Sequence, residues 1–149
     1  VYKRQVQIRQ NTDAVRGSTI QAVTLAQQQE LKWGSEISGP FSKGFQEQPL
    51  DIEGAWQLTE WYYAAFASRQ NEYVQFKRGL LDTDVWDASY KIISILACMP
   101  LCKEWWDRLG RHAFAEDFCK IVDEIFSQDQ NIIDFRAELE AMISQDGAR

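Results

Sequence analysis

Asn71, Gln75 and Arg78 are the residues of this chain best arranged to do chemistry. They fall at i, i+4 and i+7, which puts two amides and a guanidinium on one face of a helix, with Gln70 and Glu72 beside them. Such a strip can grip a polar ligand or the backbone of a partner. On a helix otherwise crowded with aromatics it has three readings: an ordinary solvent face, a satisfied buried network, or a binding surface. Asp82, just beyond the end of that helix, and the adjacent pair Trp105-Trp106 complete the set of candidate binding residues. Successive helical residues point about 100° apart, so the two indoles are not expected to share one pocket. One of them is expected at the surface, against a partner or a membrane interface.

Other chemistry finds little support. Cys98, Cys102, Cys119 and the single histidine, His112, could nominally make a three-thiolate zinc site, but Pro100 interrupts the first pair and there is no CxxC knuckle. Buried thiols are the better reading. Asp82, Asp84 and Asp87 resemble the start of a calcium loop, yet Asp87 stands where the loop needs glycine and Ile93 where it needs glutamate. Helix capping explains these acids more simply. One histidine cannot supply the two Glu-x-x-His pairs of a di-iron bundle. No nucleophile signature accompanies His112, and no glycine-rich phosphate loop occurs. No catalytic residue, metal ligand or cofactor is therefore assigned, and the expectation leans away from an enzyme.

The elements that must position these residues read as helices throughout. Residues 6–32 are helix-formers rich in glutamine. Their apolar marks, Ile8, Val15, Ala22 and Leu25, lie near a seven-residue repeat but are small and widely spaced. This is a weakly amphipathic stalk, closed or bent at Trp33-Gly34. Residues 35–45 form a short segment broken by Gly39-Pro40 and Gly44, and 46–51 a loop. Asp51 with Gly54 opens a strong helix carrying Ala55, Trp56, Leu58, Tyr62, Ala65, Phe66, Tyr73 and Phe76, expected to end at Arg78 with Gly79 as its C-cap. Asp82 or Thr83 caps the next helix, whose many apolar residues make it the most buried. Pro100 ends or kinks it, and Trp105-Trp106 follow on a further turn or two. Residues 114–126 and 132–143 supply two more helices. No alternating strand pattern appears, so the fold class is all-α: a long N-terminal helix and a compact bundle of about four to five helices.

The chain has 149 residues, enough for one domain, with 45% hydrophobic and 26% charged residues. Its aromatic wealth, six Trp, eight Phe and five Tyr, means core at helical spacing more than a ligand box. A net charge of −6 repels phosphate backbones and argues against nucleic acid. Acidic residues are dense over 116–146, which reads as a solvated helical tail. Three cysteines without framework spacing suit a reducing setting.

Three segments together resemble an uncharacterised bacterial family of small membrane-anchored proteins. The first is Val6-Gln7-Ile8-Arg9-Gln10-Asn11-Thr12 with Arg16-Gly17-Ser18-Thr19 and Gln21. The second is Gln70-Asn71, Tyr73, Gln75-Phe76-Lys77, Gly79-Leu80-Leu81-Asp82 and Trp86. The third is Trp105 or Trp106 with Arg108, then Phe114 and Phe118. In that family the first run directly follows an N-terminal hydrophobic helix, and glutamate commonly stands where this chain has Gln70. The resemblance implies an anchor and a helical architecture, and it carries no activity. Val1-Tyr2-Lys3-Arg4-Gln5 is what the bases GTG TAT AAG AGA CAG encode, the end of a transposase adapter used in sequencing libraries. Residues 1–5 are thus expected to be adapter, 6–33 a stalk following a missing span, 34–128 the bundle and 129–149 an acidic helix and tail. Arg9 and Arg16 just after a span would keep the helical domain in the cytoplasm, at the inner membrane.

The leading expectation is a membrane-tethered helical module that binds a protein partner or itself through the N-terminal helix and an aromatic-edged face. Two alternatives stand beside it. One is a small helical enzyme or ligand-binding bundle using the Asn71/Gln75/Arg78 strip around a cavity. The other is a soluble helical protein without an anchor, which upstream coding sequence lacking about 20 apolar residues would favour.

Overall fold

The computed structural model describes residues 1–45, 48–128 and 135–146. Among them the chain is all-α, in seven helices and one 3-10 turn: α1 Tyr2–Glu36, α2 Ser38–Phe45, α3 Ile52–Lys77, α4 Thr83–Ala97, α5 Pro100–Arg108, the turn Gly110–Ala113, α6 Glu116–Ser127 and α7 Phe135–Asp146. Expected positions 46–47, 129–134 and 147–149 lie outside the described residues.

α3 is the axis, and its two ends are written in the sequence. Asp51 accepts a 2.7 Å hydrogen bond from Gly54 N–H, satisfying one of the first-turn donors, and Glu53 adds favourable charge there. At the other end Gly79 adopts φ 70°, while its N–H donates to Phe76 O and Leu80 N–H donates to Gln75 O, both at 2.9 Å. That paired return is a Schellman cap, and it needs a residue that tolerates left-handed backbone.

Around α3 pack α1, α2 and α4, with α5 against α2 and α4, and α6 against α4. Pro100 occupies the first position of α5, where its missing N–H costs nothing, and α4 and α5 meet at 99°. Leu58 and Phe66 of α3, Ile93 of α4, Trp106 of α5, and Phe118, Val122 and Ile125 of α6 are wholly buried. No single helix among the described residues is long and apolar enough to cross a membrane.

Three local expectations are corrected. Trp33-Gly34 does not close α1, which runs on to Glu36. At Gly34 α1 lies close to α3, where an added Cβ would stand 3.4 Å from Trp61 Nε1, an ordinary van der Waals contact. Gly39-Pro40 does not break the 38–45 segment, since both residues fall in the first turn of α2, where proline is tolerated. Trp56, counted with the inward residues of α3, is 64% exposed, off the stripe formed by Leu58, Tyr62 and Ala65.

Candidate functional site

The polar strip lies on the surface. Asn71 and Arg78 are exposed and Gln75 is half-buried, with Gln75 Nε2 donating to Asn71 Oδ1 at 3.4 Å. Asp82 is exposed as the N-cap residue of α4, but its side chain makes no capping bond; its carbonyl accepts from Val85 and Trp86 N–H instead. Gln70, beside the strip, reaches another element. Its Oε1 accepts a 2.7 Å bond from Ala115 N–H, at the N-cap of α6, where no local side chain caps. An amide on α3 thus caps a helix 45 residues away.

Both tryptophans are buried, which overturns the expected exposure of one. Trp105 is 4% and Trp106 0% exposed, their ring centroids 6.1 Å apart. α5 is covered on two sides, so directions about 100° apart both lead into core. Trp105 packs on Tyr62 and Tyr63. Trp106 stacks on Phe66 and Phe114, and its Nε1 donates to Asp123 Oδ1 at 2.9 Å. Burial pushes the Asp123 carboxyl up, but hydrogen bonds from Arg111 and Trp106 prevail and hold it below the usual range.

The most unusual constellation escaped the sequence reading. Arg69 and Glu72 of α3 are each 1% exposed, facing α1. Arg69 Nη2 donates to Glu72 Oε1 at 2.9 Å and to Glu30 Oε2 of α1 at 3.3 Å. Gln27 of α1 donates to Glu72 Oε1 at 3.2 Å, and Trp61 Nε1 to the Glu30 carbonyl at 3.1 Å. Arg69 Nε is 2.9 Å from Glu72 Oε2 as an ion pair, but off the hydrogen-bonding line, so both atoms lack a directed partner. Burial pushes Glu30 up from its ordinary value, against the lowering pull of a Ser68 hydrogen bond and of Arg69. Two carboxylates and one guanidinium therefore lock the C-terminal half of α1 to the bundle. A signal existed: continuing the inward stripe of Leu58, Tyr62 and Ala65 by four and then three residues lands on Arg69 and Glu72.

The thiols do not gather with His112. Cys102 and Cys119 are buried, burial pushes the Cys102 thiol far up, and His112 is exposed on the 3-10 turn. No group of three metal-ligating side chains occurs among the described residues. A groove of about 500 Å³ opens between α2, α3 and α5, and neither Asn71, Gln75 nor Arg78 lines it. Comparison of the chain with family models, with curated proteins and with solved structures found no match.

Proposed function

We propose that this chain is the helical domain of a membrane-tethered interaction module, held in the cytoplasm by a span preceding Val6, and that it docks on a second copy of itself through the first half of α1. One observation supports the docking: residues 6–18 are exposed throughout, on a helix that continues unbroken to Glu36. At roughly 1.5 Å per residue α1 is about 50 Å long, and a helical arm without tertiary packing is marginal in water. Ile8 (58% exposed) and Val15 (48% exposed) lie seven residues apart on one stripe that a partner helix would cover.

So thin a seam binds weakly, and a tether compensates for that. Copies confined to one membrane meet at effective concentrations of the order of millimolar, where weak pairing is populated. The aromatic-edged face has no part in the contact, since Trp105 and Trp106 are core residues. Recovering the coding sequence upstream of Val6 tests the tether. About 20 apolar residues there support it, and a polar upstream segment overturns it. The docking half is tested by sedimentation of chains altered at Ile8 and Val15.

A further inference from the structure

Four buried side-chain polar atoms among the described residues lack a hydrogen-bond partner. Two of them, Arg69 Nε and Glu72 Oε2, face each other as an ion pair. The other two are neutral donors, the Tyr62 hydroxyl and Trp105 Nε1, and both residues line the groove between α2, α3 and α5. Tyr62 is 1% and Trp105 4% exposed, with ring centroids 5.3 Å apart. Leaving a donor buried without an acceptor forfeits the bond it made to water and destabilises the fold. Native folds rarely tolerate such a group without a use for it. Here two occur in one wall.

The rest of the groove says what would meet them. Its volume, about 500 Å³, suits a small molecule. Leu50, Leu58, Leu101 and Leu109 give it an apolar lining. Gly44 lets α2 close against it, since an added Cβ would stand 3.1 Å from Leu58 Cδ2 and 3.9 Å from Leu101 Cδ2. Among the described residues, the charged ones of the lining are Glu104 and Arg108, which pair with each other at 3.0 Å and so offset each other's charge. Burial, with a smaller contribution from Cys102, pushes the Tyr62 phenol up and keeps its proton in place.

From these features we infer that the groove binds an uncharged apolar molecule carrying a carbonyl-type oxygen, which accepts hydrogen bonds from Tyr62 O–H and Trp105 Nε1–H. Both donor atoms are buried and belong to residues that line the groove, so their meeting the oxygen requires a rotamer-scale adjustment of the two rings, of a kind common on binding. The site is separate from α1 and does not depend on how the chain docks.

Titration of the whole chain with prodan, an uncharged naphthalene ketone whose emission reports its surroundings, tests this. Saturable binding of one probe per chain with blue-shifted emission is expected. Thr59→Trp, which fills the groove from a half-buried wall position, should abolish it. Tyr62→Phe should weaken it about three- to tenfold, the worth of one neutral hydrogen bond. The same variant should melt no lower than the parent, because an unmatched hydroxyl has gone, and this separates lost binding from lost folding. Absence of saturable binding, binding that survives Thr59→Trp, or unchanged affinity in Tyr62→Phe would each overturn the assignment.

Discussion

Glu30 of α1 and Arg69 of α3 face each other at 3.3 Å across the seam that joins the long helix to the bundle, with Glu30 12% and Arg69 2% exposed at the side chain. Glu72 completes the cluster from one turn further along α3. The cluster fixes where the docked half of α1 ends and its free half begins. Toward the N-terminus from here the last ties are buried Val23 and the bond from Arg16 Nε to the Gly79 carbonyl at 3.2 Å.

Arg69→Met should cost about 3–5 kcal/mol of unfolding free energy, because it strands two buried carboxylates. Replacing Glu30, Arg69 and Glu72 together with Leu, Met and Leu should recover most of that loss, since no charge is then left unpaired. Urea unfolding of the single and triple variants checks this. A triple variant no more stable than the single would show that the seam depends on something other than charge pairing.

Glu30 also predicts a pH effect opposite to the usual acid lability. Its folded value lies above the ordinary 4.5, so the folded chain holds the proton more tightly than the unfolded one. As pH falls from neutral through the raised value toward 4.5, this group adds stability. Asp123 acts in the other sense and in a lower window: its value is depressed below 3.8, so its contribution is present above that pH and lost as pH falls through the folded value. Unfolding midpoints of the parent minus those of Glu30→Gln should therefore rise between neutral pH and about 4.5. A flat difference would contradict the burial assigned to Glu30.

Gly110 stands against the face of Trp105, and a Cβ there would meet the indole carbons Cη2, Cζ3 and Cζ2 at 2.7, 2.8 and 2.9 Å. The ring is buried and packed on Tyr62, so it has little room to yield. Gly110→Ala should destabilise by about 1–3 kcal/mol, the usual cost of overpacking. Thermal melting is sufficient to measure it. In Gly17→Ala, where nothing lies within 4 Å, no loss is expected.

The capping role of Gln70 gives a third kind of test. Gln70→Ala should cost about 1 kcal/mol, like the loss of an ordinary N-cap. Gln70→Glu should hold or raise stability, because a carboxylate accepts the same Ala115 N–H and favours the positive end of α6. Equal losses in both variants would rule out the cap.

Local signals made the helices legible. Asp51 with Gly54, Gly79, and Pro100 each act through their own few residues, and all three landed at the helix ends they marked. What stayed hidden depended on distant partners. Trp105 and Trp106 point in directions too divergent for one pocket on a helix with a single covered side, whereas α5 is covered on two. The burial of Arg69 and Glu72 was not legible locally because their compensation includes Glu30, 39 residues from Arg69 in sequence. Gln70 drew notice for the strip, yet its partner is a backbone N–H on α6 that no side-chain pattern reveals.

Whether the free half of α1 pairs with a second copy is decided by sedimentation equilibrium of the chain up to about millimolar concentration. A mass rising toward that of a dimer is expected. Ile8→Asp with Val15→Asp should return it to the monomer while the unfolding midpoint of the bundle stays unchanged, since both side chains are exposed and lie outside the core. A constant monomer mass across the range, or a dimer indifferent to both aspartates, would contradict the pairing.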